Sequence, residues 1–326
     1  MLAAAGISLT AEGLTSHPGG TDSHVFTACH ADGRALMVKV ARHPRSRYDT
    51  TAWAAVTMAA AGIPVPVVVW HNQRICVETR CPGQALAPET TGQDTVTAQP
   101  PDAASRSAAI TAGQILRRLH TVPAIGFGRL DPAGRSLYGS LHDWLLAPPP
   151  DAPPAAGGAG LRELTGTVEA VLRNHLYRLP EGAPQLLHGD CGARHVIACD
   201  GKVTGLVDLE SVRGGDPLTD VAGWSLNEHP DLTASMFTGY FPQPPEVATS
   251  WALTLYRLRI AAALLCLHLR SGEPARARLR AAQIRADLAD VADGTPRLVP
   301  LVTPTSLIKE PPCPVPSPPQ QAGSPQ

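Results

Sequence analysis

Short apolar runs that alternate with polar positions occupy the first 80 residues, a pattern typical of β-strands. From Thr15 to Val40 the chain is strand-like, with the turn-forming stretch Pro18–Ser23 between short runs and a clearly alternating run at residues 34–40. This arrangement predicts a β-hairpin with a glycine-bearing tip. Two further strands are predicted at residues 67–70 and 74–79.

Helical patterns account for most of the rest of the chain. The Ala-rich segment from about Asp49 to Ala61 predicts a helix that ends at Gly62-Ile63-Pro64, because proline cannot continue the hydrogen-bond ladder. Apolar residues then recur every three to four positions in five segments. These segments are residues 108–121, 160–176, 217–241 in pieces, 246–270 and 274–291.

Polar and proline-rich stretches separate these elements. Residues 85–107 and 148–160 predict loops, and from residue 295 onward the recurring prolines predict a disordered tail over 295–326, because such a composition buries too little apolar surface to offset its ordering entropy. Strands that come first and helices that come later predict an α+β fold. Its N-terminal part is small and β-rich, and its larger C-terminal part is mainly helical.

Composition narrows the classes of function. The 326 residues are 44% hydrophobic, which is enough to fill two cores. A net charge of -1 disfavours nucleic acid as a partner. The seven cysteines are scattered without a C-x-x-C spacing, which disfavours a zinc or redox site. No basic segment opens the chain and no run of eighteen apolar residues occurs, so we expect a cytoplasmic protein with no membrane partner.

The densest chemical signal lies between Leu186 and Asp220. Two apolar strands are joined there by the tight-turn pair Asp200-Gly201, with Asp190 before the first strand and Asp208 at the end of the second. This geometry brings both carboxylates to one place. Phosphoryl transfer needs a base for the incoming hydroxyl and oxygen ligands for magnesium, and the two aspartates fit these roles. A lone aspartate is equally explained by a turn or a helix cap, but the full ordered string is not.

The chain resembles the aminoglycoside phosphotransferase family over roughly residues 13–290. The resemblance is carried by His188-Gly189-Asp190, then Asp208, and then Gly215-Asp216-Pro217 with Asp220. Matched residue by residue, the resemblance implies that Asp190 is the catalytic aspartate and that Asp208 binds the metal. It implies that His188, Asp216 and Asp220 brace the catalytic loop.

The same resemblance implies a bilobal protein-kinase-like fold. The nucleotide-binding lobe would span residues 1–80, the hinge 81–84, and the catalytic and acceptor-binding lobe 85–294. It further implies Mg²⁺ as cofactor and ATP or GTP as the phosphoryl donor.

One departure from the family pattern is His195, which lies five residues after Asp190 where the family carries asparagine. Magnesium prefers oxygen ligands, so His195 is open to three interpretations: weak metal ligation, action through a water molecule, or bracing of the loop. Macrolide phosphotransferases are similar in having histidine at this place, so the change does not imply an inactive enzyme.

Lys39 is the candidate for contacting the nucleotide phosphates. Only three of the 27 basic residues are lysines, and Lys39 lies on the strand after the glycine-containing hairpin, although an exposed strand lysine would look the same. Gly19, Gly20 and Ser23 would form the loop over the phosphates. The following helix contains no glutamate to pair with Lys39, so either Asp49 substitutes or phosphate and Asp208 alone hold the lysine.

The segment from Glu78 to Gly83 resembles the hinge between kinase lobes, whose backbone contacts the nucleotide base, and Glu78 is therefore assigned to nucleotide binding.

The acceptor is expected to lie between the catalytic loop and the C-terminal helices. Residues 246–291 carry many arginines, whereas Glu228, Asp231 and Glu246 supply few negative charges. This pattern favours a less cationic acceptor than an aminoglycoside, such as a macrolide, nucleoside or peptide antibiotic, phosphorylated for resistance or self-protection. The alternatives are a metabolite kinase acting on a sugar, choline or homoserine, and a pseudokinase that binds nucleotide without turnover.

Overall fold

A computed structural model describes residues 14–17, 22–43, 46–87, 100–147, 159–180 and 182–296, the side chains of residues 159–162 excepted. The predicted loop glycines Gly19 and Gly20 lie outside the described residues, and so do residues 297–326 of the predicted tail.

The N-terminal part is a five-stranded antiparallel sheet with one helix packed against it. Its strand order is β1-β2-β3-β5-β4, so β3 and β5 lie side by side near its centre. The predicted hairpin and both further strands are confirmed, as is the helix, which begins one residue before the predicted start. The elements are β1 Thr15–His17, β2 Ser23–Cys29, β3 Ala35–Ala41, α1 Tyr48–Ala60, β4 Val68–His71 and β5 Ile75–Thr79.

Alternation along β3 and β5 places different side chains on the two faces of the sheet. Leu36, Val38 and Val77 form an apolar cluster on one face. Lys39 is paired directly with Cys76, and both are buried on the opposite face. The Lys39 ammonium is therefore buried on the face of the sheet opposite to the apolar cluster.

Helices dominate the C-terminal part, as predicted. They are α2 Ala103–Leu119, α3 Leu141–Leu146, α4 Ala159–His175, α5 Leu218–Asn227, α6 Pro230–Tyr240, α7 Val247–Arg270 and α8 Pro274–Ala292. The start of α2 differs from the prediction, because residues 103–107 form its first turns rather than a loop. Asp102 explains the difference, since its carboxylate accepts a hydrogen bond from the Ser105 amide at 2.7 Å and so caps the helix.

Two small sheets lie among these helices and position the functional loops. One has the order β11-β10-β6 and the other β8-β7-β12-β9. The predicted turn at Asp200-Gly201 is confirmed, and both of its residues have positive φ angles of 50° and 74°. The strands are β6 Gln84–Ala85, β7 Phe127–Leu130, β8 Ser136–Tyr138, β9 Gln185–Leu187, β10 Val196–Cys199, β11 Lys202–Leu206 and β12 Arg213–Gly215.

Helix α7 is long and apolar because it forms the centre of the helical part. By length and composition alone it is the one helix in the described ranges that could cross a membrane. However, 67% of its most apolar window is buried inside the protein, where Leu255, Tyr256 and Leu258 are fully covered. Packing against α5 and α8 thus accounts for its composition.

Helices α2 and α6 pack closely at two glycines. A Cβ atom on Gly113 would collide with the backbone of α6 at Met236, and one on Gly239 would collide with the backbone of α2 at Ile110. Glycine at both positions therefore lets the two backbones touch. This contact fixes α2, which ends at the candidate catalytic region, against α6.

We expect Gly113→Ala to lower the free energy of unfolding by about 1–3 kcal/mol, because the added methyl group must push two backbones apart. Urea denaturation would measure the change. Gly166→Ala is the matched control, because Gly166 lies in α4 with no atom within 4 Å of its added Cβ. That control is expected to gain about 0.5–1 kcal/mol. Equal unfolding free energies for Gly113→Ala and the wild type would contradict the close packing of α2 on α6.

Candidate active site

The loop that carries Asp190 follows β9 and is held in place by the Asp220 carboxylate. The Asp220 carboxylate accepts hydrogen bonds from the His188 amide at 2.7 Å and from the Gly189 amide at 2.8 Å. Gly189 has a φ of 81°, and a Cβ there would collide with the Ser211 carbonyl oxygen, so only glycine fits this turn. The loop is thus fixed by backbone contacts before any side chain of the site is considered.

His120 extends this support to the helices. Its Nε2 lies 3.2 Å from the Asp220 carboxylate and its Nδ1 lies 2.9 Å from the Tyr240 hydroxyl. All three side chains are buried. His120 is thus the group that orients Asp220.

His188 also connects the loop to its surroundings, whereas the hydrogen bond of Asp216, which was predicted to brace the loop, is local to the start of α5. The His188 ring is buried, which lowers its pKa, and its Nε2–H donates to the Val207 carbonyl oxygen at 2.9 Å. This bond ties the loop to the end of β11. Asp216 accepts a hydrogen bond from the Leu218 amide at 2.8 Å at the start of α5.

Asp208 follows the β10–β11 hairpin in a left-handed conformation, with φ 66° and ψ 55°. Aspartate tolerates this region better than most residues with a Cβ atom. Its carboxylate lies 3.3 Å from the Lys39 Nζ and 3.3 Å from the His195 Nε2. Burial raises the pKa of this carboxyl, but the ammonium of Lys39 and the His195 ring outweigh burial, so the pKa lies well below the ordinary value.

Three side chains converge in a way that suits a divalent cation. One potential ligand atom each from Asp190, His195 and Asp208 lies within 4.8 Å of the others. The His195 Nδ1 lies 2.8 Å from the Asp190 carbonyl oxygen, so in the neutral ring Nδ1–H donates and Nε2 carries the lone pair, which accepts a hydrogen bond from the Arg194 Nε at 3.2 Å in the absence of a metal. Two electron-rich atoms at 3.3 Å match neighbouring ligands of an octahedral Mg²⁺ ion, which are about 3.0 Å apart.

Lys39 is surrounded by three carboxylates. Its Nζ lies 3.3 Å from Asp208, 3.5 Å from Glu78 and 3.8 Å from Glu210. Asp49 does not substitute for the missing helix glutamate, because its carboxylate lies 3.1 Å from the His71 ring instead. The expectation that phosphate and Asp208 alone hold Lys39 is also wrong, since Glu78 on β5 and Glu210 after Asp208 supply the counter-charge.

The charge balance of this cluster favours a cation. One buried ammonium faces three carboxylates, so burial and mutual repulsion raise the pKa of Glu78, and they raise that of Glu210 to about 7. Burial lowers the pKa of Lys39, but the carboxylates more than compensate and keep it charged. Additional positive charge would stabilise the site. The residues present therefore fit a bound magnesium ion.

Glu78 and Ser23 occupy positions that differ from those expected. Glu78 lies inside the sheet, paired with Met37 on one side and Val68 on the other, so it is not part of the hinge. Its carboxylate lies 3.5 Å from the Lys39 Nζ. The Ser23 hydroxyl is buried and lies 2.8 Å from the Tyr48 hydroxyl, which turns it into the sheet–helix contact instead of over a phosphate.

Arg194 is the main site residue that sequence reasoning missed. Its Nη2 donates to both carboxylate oxygens of Asp190 at 2.8 Å. Burial raises the pKa of Asp190, but His195 and Arg194 lower it more strongly, so the carboxyl is ionised. In the sequence, only its position four residues after Asp190 indicates a contact with that aspartate.

Glu228 supports the other side of the same loop. Its Oε1 accepts a hydrogen bond from the Ala193 amide at 2.8 Å. Since Glu228 directly follows α5, the end of that helix determines where the segment with Arg194 and His195 lies. The sequence pattern had treated Glu228 only as one of few acidic residues near the acceptor.

Comparison with known proteins relates this geometry to a family. The model of the phosphotransferase enzyme family matches residues 13–248. No curated protein matches the chain by sequence.

Solved structures with the same fold include kinases that are named for different acceptors. A thermostable mutant of aminoglycoside phosphotransferase APH(4)-Ia has a TM-score of 0.71 at 20% identity, covering 89% of this chain and 98% of that one. A putative fructosamine-3-kinase from Thermobifida fusca has a TM-score of 0.61 at 22% identity, covering 87% and 95%. Macrolide 2'-phosphotransferase MphH from Brachybacterium faecium has a TM-score of 0.56 at 19% identity, covering 87% and 95%. These likenesses show the protein-kinase-like fold.

Proposed function

We propose a mechanism from one premise: the chain belongs to the phosphotransferase enzyme family and is a phosphotransferase that acts on hydroxyl groups. In this proposal Asp190 accepts the proton of the acceptor hydroxyl as that oxygen attacks the γ-phosphoryl group of ATP or GTP. The observation that carries it is the convergence of Asp190, Asp208 and Lys39 at one place, from three separate parts of the chain. The Asp190 carboxylate is 39% exposed and so within reach of an acceptor.

Asp208 and His195 would hold Mg²⁺, and Lys39 would contact the nucleotide phosphates. Magnesium supplies charge neutralisation on the transferring phosphoryl group when it is bound. The protein's own contribution is positional: Asp220 fixes the loop, His188 ties it to β11, and the left-handed backbone at Asp208 directs that carboxylate toward Lys39. ATP as donor is supported by a complex of the mutant APH(4)-Ia with AMP-PNP and hygromycin B.

Phosphorylation of a small-molecule antibiotic in the cytoplasm, for resistance or self-protection, is the first proposal for the biological reaction. It is supported by the fold that the chain shares with the aminoglycoside and macrolide phosphotransferases. A metabolite kinase is the second candidate, supported by the similar fold of the putative fructosamine-3-kinase. The complete set of Lys39, Asp190 and Asp208 argues against a pseudokinase.

We expect His195→Asn to retain activity within about tenfold of the wild type, because the amide oxygen of asparagine can replace the ring nitrogen as a ligand for Mg²⁺. His195→Ala offers no ligand and is expected to raise the Mg²⁺ concentration for half-maximal activity about 10–100-fold. Magnesium titrations of turnover would measure both. Loss of activity in His195→Asn, with turnover kept in His195→Ala, would contradict a role in metal binding.

The experiment that tests the proposed function is a magnesium-dependent phosphoryl-transfer assay with ATP and GTP separately. The acceptor panel contains macrolides, aminoglycosides, nucleoside and peptide antibiotics, fructosamines and choline, with product identified by mass. A phosphorylated product would establish the reaction and the acceptor class together. Nucleotide binding without product from any acceptor, and without ADP release, would favour the pseudokinase instead.

A further inference from the structure

Four arginines lie together beside the catalytic loop without acidic partners. They are Arg47 before α1, Arg129 on β7, Arg213 on β12 and Arg259 on α7. In the part of the chain that the structure describes, none of them has a carboxylate within 4 Å. We propose that this arginine cluster is the subsite for an anionic group, a carboxylate or a phosphate, on the acceptor. The inference rests on the proposed function and specifies its substrate class.

Strand pairing brings the cluster together. Arg213 is directly opposite Arg129 in the antiparallel pair of β12 and β7, so both side chains leave the same face of the sheet. Arg47 donates from Nη2 to the carbonyl oxygen of Leu130, at the end of the same strand β7. Two like charges directly opposite each other destabilise a sheet, so a bound anion would stabilise this arrangement.

Arg259 adds a fourth guanidinium from the helical side. It donates to the carbonyl oxygens of Leu145 and Ala147, each at 3.1 Å, and its guanidinium lies 6.0 Å from the centroid of the Trp144 ring, so its contacts fix the side chain without supplying a negative charge. Burial and the charge of Arg213 lower the pKa of Arg259. Burial, Arg129 and Arg213 lower that of Arg47 to about 10. Arg213 is thus close enough to Arg47, Arg129 and Arg259 to repel each of them.

The cluster also contains an unpaired donor. The Nη1 atom of Arg47 is buried and has no hydrogen-bond partner. Burying such a donor is unfavourable unless an acceptor meets it. A planar guanidinium presents its donors in a fork that matches a carboxylate or a phosphate. Three acidic groups face the cluster: Glu210 faces Arg47, and Asp220 and Asp190 face Arg213. They are already engaged by Lys39, by the amides of the catalytic loop and by Arg194, respectively.

The position of the cluster connects it to the reaction. A Cβ on Gly189 would lie 2.6 Å from the Arg213 Nε, so this guanidinium contacts the residue next to Asp190. An acceptor whose hydroxyl reaches Asp190 can therefore place an anionic group among the arginines if the two groups are a few bonds apart. A polycation such as an aminoglycoside would be repelled at the same place. We therefore expect acceptors that carry at least one negative charge.

The binding test uses inorganic phosphate as the probe. The nucleotide site of the full-length protein is first saturated with ADP and Mg²⁺, and phosphate binding is then followed by calorimetry. Arg129 is exposed, so Arg129→Gln is expected to fold normally and to weaken phosphate binding about tenfold by removing a charge-assisted hydrogen bond. Arg135→Gln, an exposed arginine in the same β7–β8 hairpin, is the matched control and should bind phosphate like the wild type.

Two outcomes would overturn the anion site: no phosphate binding by the wild type, or equal binding by the wild type and Arg129→Gln. Thermal melting of each variant would verify its folding. Because this test needs no turnover, it can succeed even if the proposed phosphotransferase reaction fails.

The kinetic test separates a group on the acceptor from a free anion. With an acceptor that gives product, phosphate should inhibit competitively against that acceptor. Arg129→Gln should raise the KM of the acceptor about tenfold and leave kcat and the KM of the nucleotide unchanged. Inhibition that is not competitive with the acceptor would assign the cluster to free phosphate and overturn the assignment to the substrate. For this test the panel also contains compounds with a hydroxyl and a carboxylate or phosphate, and product from neutral and cationic compounds alone would overturn the assignment as well.

Discussion

Asp190→Ala is expected to lower kcat about a thousandfold while nucleotide binding changes little, because the substitution removes the group that we propose as the base for the hydroxyl proton. The Lys39 cluster, which would contact the phosphates, is left intact. Steady-state turnover with a competent acceptor would measure kcat. A titration with a fluorescent ADP analogue would measure nucleotide affinity.

Two further variants make this result specific. Asp190→Asn keeps an oxygen that can accept a hydrogen bond from Arg194 but cannot accept a proton. It should be nearly as inactive as Asp190→Ala if the loss of the base, and not the loss of the contact to Arg194, causes the effect. Asp293→Ala removes an exposed carboxylate at the end of α8 and should behave like the wild type. Activity within tenfold of the wild type in Asp190→Asn would exclude Asp190 as the base.

Asp208→Asn is expected to lower kcat by at least about a hundredfold and also to weaken the magnesium-dependent part of nucleotide binding. Asparagine tolerates the left-handed backbone at this position, so the substitution changes charge with little change of shape. Nucleotide affinity measured with Mg²⁺ and with EDTA would separate the two contributions.

The two aspartates should therefore differ in kind. Asp190→Asn is expected to keep the magnesium dependence of nucleotide affinity, whereas Asp208→Asn is expected to lose most of it. The same mild loss of turnover at both positions, with magnesium dependence intact, would remove the basis for assigning different roles to them.

Local patterns were sufficient to predict most of the fold. The alternation at residues 34–40 and the apolar period of α7 each depend on neighbouring residues only, and both predictions are confirmed. The first turns of α2 were missed because the polar segment before them resembles a loop, and a single cap at Asp102 decides the outcome. Strands β7 and β8 were not predicted, since each is short and is stabilised mainly by its partners.

Glu78, the partner of Lys39, could not be predicted from neighbouring residues in the sequence alone. The prediction searched for an acidic residue on the helix after β3, whereas the structure has one on the neighbouring strand. Because Cys76 is opposite Lys39, Glu78 two residues later lies on the same face and on the diagonal. A glutamate inside the apolar run Ile75–Thr79 was the available signal, but it could be interpreted only after the pairing of β3 with β5 was known.

Arg194 and Glu228 were beyond the reach of sequence patterns for a related reason. Arg194 reaches Asp190 only because the chain turns sharply through residues 192–195, and Glu228 reaches Ala193 only because α5 ends beside that turn. Spacing along the chain does not specify either contact. The cluster of four arginines likewise became visible only once their strands and helices were brought together.

The charges around Lys39 also connect the N-terminal sheet to the C-terminal half of the protein. Lys39 and Glu78 belong to the N-terminal sheet, whereas Asp208 and Glu210 belong to the C-terminal half. Opening the space between the halves separates the ammonium from two of its three counter-charges, and buried pairs of this kind are only weakly screened by salt. Electrostatic work therefore opposes opening. A nucleotide whose phosphates displaced these carboxylates from Lys39 would change that work, so we expect nucleotide binding to be coupled to the separation of the two halves.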